Sequence, residues 1–444
     1  MTKTAIIAGG SIAGLATARA LAQSFDRVLV LESDQIESGV AARKGTPQAN
    51  HVHGLLKGGG DAFTELFPGL PEHLARAGAV SCNFCNEVRW YINKKWMPRF
   101  AGSLVIYFQS RPLLETCIRE EVAAQPNIEI LDQCRVEDFV LDDNRRKIIA
   151  AVVRNRNGED ETVAGDFFVD AMGRGSFFPR WLKREGFGDV PEDHVKVDLG
   201  YASCFMELPD EPRDWKSILI YPKGPAEVRG STLVQVEQGK WLLTLAGYHN
   251  DHPPADINGF LDFAKSLPQP DIYEAVKNAR TLSDIRLHKF PHGQWRHYDE
   301  LPDFPLGIVP VGDTNASLNP LFGQGMSVAA LSVAALAKYA KTTNFDDPES
   351  LQDLTATYFK ALRRIFATPW DLALGQDFRY PETAGKKPAG LKLKNILKSI
   401  ILGSSSTEII ENFYRIVHLV EKETSFYHPK WVPKYITGRV KKDP

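Results

Sequence analysis

Three glycine-rich segments, far apart in the chain, constrain the fold more than any other feature. They are Gly9-Gly10-Ser11-Ile12-Ala13-Gly14, Met172-Gly173-Arg174-Gly175-Ser176, and the stretch from Gly312-Asp313 to Gly323-Gln324-Gly325. Glycine at the end of a strand permits a tight turn or a close approach of the backbone to a ligand. Three such segments indicate that distant parts of the chain converge on one extended ligand.

The first segment has the strand–helix–strand context of a dinucleotide-binding motif. The apolar run 4–8 precedes it, an Ala-rich helical pattern covers residues 11–24, and a second apolar run, 27–31, follows. Gly9 permits the turn and Gly14 permits close packing of the helix. The free N–H groups at the start of the helix would bind a pyrophosphate.

Two further residues refine this interpretation. Glu32 lies 18 residues after Gly14, where a carboxylate can accept a hydrogen bond from an adenosine ribose. Ser11 stands where the fingerprint usually has its middle glycine. Serine is small and its hydroxyl can donate to a phosphate, so we expect the loop to keep its function.

The late segment is suited to a flavin. A buried-strand pattern over 306–311 ends at Asp313, which would meet the ribityl hydroxyls. Residues 320–326 follow and open an Ala-rich helix that runs to about Lys341. The positive end of that helix would face the pyrimidine edge of the isoalloxazine and stabilise its reduced form. The three segments together predict that the chain wraps around FAD.

At these residues the chain resembles the class A flavoprotein monooxygenases, the para-hydroxybenzoate hydroxylase-like superfamily, through the G-D…P-x-x-G-Q-G-M arrangement at 312–326. Segments 43–56, 67–79, 173–182 and 296–298 are similar to bacterial polyketide and polyene epoxidases of that group. The resemblance covers roughly residues 1–345. It implies an α/β fold in which a Rossmann-like FAD-binding domain of the GR2 type is interleaved with an antiparallel-sheet substrate domain, followed by a helical C-terminal region.

The resemblance also implies a set of FAD contacts. They are Gly9, Ser11, Gly14, Glu32, Arg43, Arg111, Asp313, Pro320, Gly323, Gln324, Gly325 and Met326. Arg111 would neutralise pyrophosphate charge, although ordinary surface roles for Arg111 and Arg43 stay open. The middle segment departs from the family, because Met172 replaces an aspartate that usually serves both FAD and NAD(P)H. Asp170, two residues earlier, is the candidate to serve the fold instead.

The activity that the resemblance implies is oxygen transfer. Reduced flavin reacts with O2 to give a C4a-(hydro)peroxyflavin, which hydroxylates or epoxidises a hydrophobic small molecule that is aromatic, polyene or terpenoid-like. NADPH or NADH would supply the electrons, directly or through a separate flavin reductase. Because the cofactor carries the chemistry, no catalytic triad and no metal site are expected.

Aromatic residues on the predicted substrate strands and the flavin loop are candidates to line the pocket. They are Tyr107, Tyr201, Tyr221 and Phe322, together with Trp90, Phe205 and Trp241. Each of them also fits a plain core role. His51 and His53 lie in one of the family-like segments, so a contact on the flavin side is a further candidate role.

Composition excludes some partners. The net charge is −2, which gives no electrostatic case for nucleic acid. The five cysteines are sparsely placed, and the chain starts directly in its first strand without a secretory signal. These features predict a cytoplasmic protein.

The order of elements predicts a discontinuous arrangement. Residues 1–78, 111–180 and 286–345 are assigned to the FAD-binding domain, 79–110 and 181–285 to the substrate domain, and 346–444 to the helical region. The 391–402 segment places Leu393, Ile396, Leu397 and Ile400 on one face and Lys392, Lys394 and Lys398 elsewhere. A helix of this kind either caps the substrate cavity, which we favour, or lies on a membrane surface.

Two other functions stay open at this stage. A flavin-dependent reductase of isoprenoid double bonds would share the fold, and a flavin-binding protein without turnover would share the cofactor site. A flavin halogenase is disfavoured because its Trp-x-Trp-x-Ile-Pro signature is absent.

Overall fold

The three glycine-rich turns follow strands of one parallel sheet and lie at the carboxyl ends of those strands. The computed structural model describes residues 2–404 and 406–431. The strands of this sheet lie in the order Ile308–Pro310, Phe167–Asp170, Thr4–Ala8, Arg27–Leu31 and Ile128–Leu131. Ala8 pairs with both Leu31 and Asp170, and Asp170 pairs with Pro310. The carboxyl ends of these strands therefore meet, and the turns that follow them are neighbours.

Helices cover this sheet and bury its apolar strands. The helices of the region are Ile12–Leu21, Lys57–Leu66, Leu70–Arg76, Arg111–Ala123, Phe178–Glu185 and Gly325–Ala340. The first helix, Ile12–Leu21, packs against both Arg111–Ala123 and Gly325–Ala340. Most of its side chains are buried, so it lies inside a helix layer rather than on its surface. A small antiparallel sheet of Arg135–Leu141, Ile148–Arg154 and Asp160–Ala164 extends this part of the molecule.

A larger sheet forms the other wall of the site. Its strands follow the order Ala316–Ser317, Arg286–Arg296, Glu192–Glu207, Trp241–Gly247, Arg229–Gln235, Ser217–Ile220, Val88–Ile92 and Lys95–Trp96, and Arg280–Thr281 and Ala384–Gly385 pair with Glu192–Glu207. The pairing is antiparallel except between Ser217–Ile220 and Val88–Ile92, which run parallel. Strands Val80–Asn83 and Val105–Phe108 form a separate antiparallel pair. The short helices Phe84–Glu87, Ile257–Lys265 and Asp271–Val276 complete this region. The predicted fold class is confirmed.

Two hairpin turns of the large sheet contain left-handed residues. Asn93 and Lys94 have positive φ values of 55° and 64°, and so do Gln238 and Gly239 at 60° and 69°. At Asn93 and Lys94 the paired left-handed residues match the twist of a two-residue hairpin, since Ile92 pairs with Lys95. The strand Arg286–Arg296 lies with the large sheet, where it pairs along Glu192–Glu207. The predicted domain boundary at residue 286 therefore separates two paired strands. The order of elements along the chain does not reveal which sheet a strand joins.

Three helices build most of the C-terminal region. They are Pro348–Asp377, Leu391–Leu402 and Thr407–Val417. Asp347 caps the first by accepting hydrogen bonds from the backbone N–H groups of Glu349 and Ser350. No helix among residues 2–404 and 406–431 is long and apolar enough to cross a membrane.

The predicted faces of the helix Leu391–Leu402 are only partly right. Lys398 is 8% exposed although the pattern put it on the polar face, and Ile396 is 50% exposed although the pattern put it on the apolar face. Lys394 forms an ion pair of 2.6 Å with Asp371. Neighbouring helices, rather than periodicity, decide which side is covered. The side chains of Lys392, Leu393, Leu397 and Ile400 lie outside the described residues.

Candidate active site

The first turn requires its glycines. Gly9 has a φ of +109°, and a Cβ there would lie 2.5 Å from the carbonyl oxygen of Ala171. A Cβ on Gly14 would lie 1.8 Å from the carbonyl oxygen of Gly9. Both positions therefore exclude any side chain, because such distances are far below van der Waals contact. The predicted roles of these two glycines agree with this geometry.

A serine and an arginine meet at the start of the first helix. Ser11 is the residue before Ile12–Leu21, and its side chain makes no capping hydrogen bond. Its hydroxyl accepts from Arg111 Nη2 at 2.8 Å and donates to Glu115 Oε2 at 3.0 Å. Burial lowers the pKa of Arg111, while Glu115 and Asp313 oppose that effect. A buried cation at the positive end of a helix is a place for an anion such as a pyrophosphate.

Glu32 and Arg43 bond to each other and to other groups of the protein. Glu32 Oε2 accepts from the backbone N–H of Gly10 at 2.9 Å and pairs with Arg43 Nη1 at 2.9 Å. The guanidinium of Arg43 also pairs with Asp34 at 3.3 Å and Glu115 at 2.6 Å. In this arrangement Arg43 ties its loop to the end of the second strand. The contact of Arg43 with FAD stays a prediction.

Asp170 joins the middle and late turns. It is fully buried and accepts hydrogen bonds from the Met172 N–H at 3.0 Å and from Ser176 Oγ at 2.6 Å. Thr314 donates to it more weakly, at 3.4 Å, and accepts from the Gly173 N–H at 3.0 Å. Burial raises the pKa of Asp170 to about 6. The expected structural role of Asp170 agrees with these contacts.

The late turn leads directly into a helix. Pro320–Phe322 is one 3-10 turn, and Gly323 closes it with a φ of +62°. The helix Gly325–Ala340 starts immediately afterwards. Gln324 is 2% exposed, and its Oε1 has no hydrogen-bond partner among the described residues. Apart from its chain neighbours and its own helix backbone, a Cβ on Gly325 would have no heavy atom of the described residues within 4 Å.

One cavity of about 620 Å³ connects these turns with the large sheet. Eight of the twelve predicted FAD contacts line it: Ser11, Arg111, Asp313, Pro320, Gly323, Gln324, Gly325 and Met326. Gly9, Gly14, Glu32 and Arg43 do not line it. Asp313 lines the cavity. Burial raises the pKa of its carboxyl group, and the charges of Arg111 and Arg174 oppose that effect.

The other end of the cavity is mostly apolar. Its wall consists of Phe84, Trp90, Ile106, Phe108, Leu219, Tyr221, Val234, Phe322, Val417 and His418. Of the predicted pocket residues, Tyr201, Tyr221, Phe322 and Trp90 line the cavity, and their roles stay predictions. Phe205 and Trp241 do not line the cavity.

Tyr107 is a wrong prediction. Ile106 and Phe108 line the cavity, and Tyr107 between them does not. Successive side chains of a strand point to opposite faces, so the strand Val105–Phe108 can present only alternate residues. The alternation was visible in the sequence and could have selected Ile106 and Phe108.

The C-terminal helix Thr407–Val417 closes the apolar end. Phe413 and Tyr414 each stack on Trp90 with ring centroids 5.7 Å apart. His418 follows that helix, and its ring lies 4.3 Å from that of Phe84. Burial lowers the pKa of His418 to about 3, so the imidazole is neutral. No pattern in the sequence linked residues 413–418 to the cavity. The helix Leu391–Leu402, the favoured cap, contributes no described residue to the cavity lining.

Histidines lie on the sheet side of the cavity. His51 and His53 both line it, as expected, and so does His288. His51 Nδ1 lies 2.7 Å from Ser203 Oγ, which lies 2.6 Å from Thr244 Oγ1. Burial lowers the pKa of His51 to about 3.

The residues of the first and late turns fit FAD. The first turn excludes side chains, the Ser11–Arg111 pair offers an anion site, and the buried Oε1 of Gln324 lacks a partner in the described part of the chain. The open space at Gly325 adds room beside a helix start.

Comparisons with known proteins agree with that assignment. The family model described as FAD dependent oxidoreductase matches residues 5–180. Protein Rv3254 of Mycobacterium tuberculosis is 30% identical over 450 residues, which cover 98% of this chain and 92% of that protein. The 6-hydroxy-3-succinoylpyridine 3-monooxygenase HspB of Pseudomonas putida is 24% identical over 364 residues, covering 76% and 78%. The solved structure of the flavin-dependent brominase Bmp2 superposes with a TM-score of 0.68 at 15% identity, covering 98% and 99%.

Proposed function

This chain belongs to the class A flavoprotein monooxygenase-like family of FAD-dependent oxidoreductases, and we propose that it hydroxylates or epoxidises a largely apolar small molecule. A reduced nicotinamide cofactor is the proposed source of electrons. The observation that carries the proposal is the continuity of one cavity, which runs from Ser11 and Arg111 past Asp313 to an aromatic and aliphatic wall.

Each part of the site has a task toward FAD. Ser11, Arg111 and the start of the first helix would hold the pyrophosphate. Asp313 would bind the ribityl chain, and the backbone from Gly323 to Met326 would hold the ring. When bound, FAD supplies the activation of O2 and the transfer of one oxygen atom, with the other leaving as water.

The residues of the apolar wall would position the substrate and exclude water. Phe413 and Tyr414 stack on Trp90 and would support this wall by packing. A dry, preformed chamber favours productive alignment and limits loss of reactive oxygen to solvent. Burial raises the pKa of Tyr221, which keeps its phenol neutral in the wall.

The first experiment is to titrate the purified protein with NADPH in the absence of oxygen while recording the visible spectrum. Flavin bands at about 370 and 450 nm that bleach would support a flavoprotein with its own nicotinamide site. Bands that persist would point to a separate flavin reductase or to reduction gated by substrate. No bands, even after FAD is supplied, would contradict the proposal.

A second experiment separates oxygen transfer from its alternatives. Oxygen uptake that depends on an apolar compound, with incorporation of 18O from 18O2 into product, would support monooxygenation. Reduction of an isoprenoid double bond without O2 would favour the reductase. Bromide or chloride appearing in the product would favour halogenation, and tight FAD without turnover a carrier.

A further inference from the structure

A buried polar cluster lies behind the 3-10 turn Pro320–Phe322. It joins Asp377, the last residue of the helix Pro348–Asp377, with Tyr248 after the strand Trp241–Gly247 and Asn319 just before the turn. These three side chains are 2%, 2% and 3% exposed. None of them lines the 620 Å³ cavity. Three distant parts of the chain therefore meet behind the site without touching its contents.

Hydrogen bonds connect the cluster to the turn. Asp377 Oδ1 accepts from Asn319 Nδ2 at 2.8 Å and from Tyr248 OH at 3.1 Å. The other end of the Asn319 amide, Oδ1, accepts from the backbone N–H of Leu321 at 3.0 Å. Because Asp377 fixes one end of this amide, it also fixes the end that holds the turn.

The turn connects the hydrogen-bonded cluster to the lining of the cavity. Leu321 and Phe322 line the cavity, and Gly323, which follows, is held at a φ of +62°. Gln324 then leads into the helix Gly325–Ala340. Any shift of Asn319 would therefore move the backbone that opens this helix.

Stability alone is a poor reason for a carboxyl group at this place. Among the described residues, Asp377 has no ion pair with a cation, and its charged form depends on two neutral donors. Burying a carboxylate without a cation costs several kcal/mol, and apolar replacements of buried charges are often neutral or stabilising. Burial raises the pKa of Asp377 to about 7.

We infer that Asp377 is a positioning residue for FAD, acting through Asn319 on the turn 320–323. The inference rests on the proposed function, in which this turn and the helix start after it hold the flavin ring. It assigns to the C-terminal helical region a part in building the cofactor site.

Three variants test the inference. Asp377→Leu removes both hydrogen bonds, Asp377→Asn keeps an acceptor oxygen without charge, and Asp353→Leu changes an exposed aspartate of the same helix as a control. The measurements are the dissociation constant of FAD on apoprotein, the visible circular dichroism of the bound flavin, and thermal unfolding of the apoprotein. We expect Asp377→Leu to weaken FAD binding about tenfold or more and to change the dichroism, since 1.4 kcal/mol corresponds to tenfold.

The asparagine variant should restore both readouts to within about threefold of wild type, and Asp353→Leu should match wild type. If Asp377→Leu does not fold, Tyr248→Phe removes one donor while keeping the ring stacked on Tyr380, 4.7 Å away. Wild-type FAD affinity and dichroism in Asp377→Leu, or in Tyr248→Phe where the first variant does not fold, would overturn the inference. So would an Asp377→Asn variant as weak as Asp377→Leu. A wild-type protein that binds no FAD would instead overturn the proposed function.

Discussion

The guanidinium of Arg111 donates a hydrogen bond of 2.8 Å to the hydroxyl of Ser11 at the start of the first helix. This places a buried cation beside the positive end of a helix. The carboxylate of Glu115, 3.4 Å from Arg111 Nη1, offsets only part of that charge, since it also pairs with Arg43 at 2.6 Å. Glu115 therefore neutralises Arg111 only in part, and an anionic ligand at this helix start would pair with the remaining charge.

Replacing Arg111 should separate cofactor affinity from folding. We expect Arg111→Ala to weaken FAD binding about 10- to 100-fold, because a hydrogen bond to a charged group contributes about 1.5–3 kcal/mol. Titration of apoprotein with FAD, followed by fluorescence, measures the effect. Arg76→Ala, at an exposed arginine, is the matched control. Equal affinity in the two variants would remove Arg111 from the anion site.

Gly325 offers a sharper test of where the ring binds. A Cβ at Gly325 meets no described atom within 4 Å outside its chain neighbours and its own helix backbone, yet this position lines the cavity. Gly325→Ala should therefore leave the melting temperature of the apoprotein unchanged or higher, because alanine favours helix over glycine by about 1 kcal/mol. FAD affinity should fall. Gly60→Ala, in the helix Lys57–Leu66 with its nearest atom 4.0 Å away, should give the same stability gain with unaltered FAD affinity.

Short sequence motifs predicted those residues of the site whose role depends on their own turn or strand end. Gly9 is required by a positive φ and Gly14 by the lack of space for a side chain, and Asp313 follows a strand end. Contacts between distant segments left no comparable signal. Packing of the C-terminal region brings His418 to the cavity and Asp377 to the cluster behind it. No periodicity reveals which buried residue faces which neighbour.

The wrong placement of Tyr107 leads to a paired prediction. Phe108 lines the cavity and Tyr107 points to the other face of the same strand. For an apolar substrate found by oxygen uptake, Phe108→Ala should raise KM about tenfold, because its partly buried ring lines the cavity and tenfold corresponds to about 1.4 kcal/mol of lost contact. Tyr107→Ala should leave KM within about twofold, which corresponds to about 0.4 kcal/mol, because its side chain does not line the cavity. The opposite ranking would place the substrate elsewhere.

The buried carboxyl group of Asp377 predicts a pH dependence of stability. Its pKa is raised from 3.8 to about 7 in the folded protein. A raised carboxyl pKa means that the folded state binds a proton that the unfolded state releases, so stability falls as pH rises from about 4 to about 7. The variant Asp377→Asn has no carboxyl group at this position, so its stability does not fall with pH for this reason. Its melting temperature relative to wild type should therefore increase across that window and stay constant above it, as measured by thermal unfolding of apoprotein. A constant difference between pH 4 and 7 would show that Asp377 does not titrate there.

Closure of the apolar end should control how efficiently this FAD-dependent monooxygenase uses oxygen. Phe413 does not line the cavity, but its ring stacks on Trp90, which does. Phe413→Ala should loosen that wall and admit water, at a stability cost of about 3–5 kcal/mol. Water near reactive oxygen favours its release as hydrogen peroxide. We expect less product and more peroxide per O2 consumed, measured with an oxygen electrode and catalase. Ile396→Ala, at a half-exposed residue on the neighbouring helix, should leave the ratio unchanged, and an unchanged ratio in Phe413→Ala would argue against a role for the C-terminal helix in excluding water.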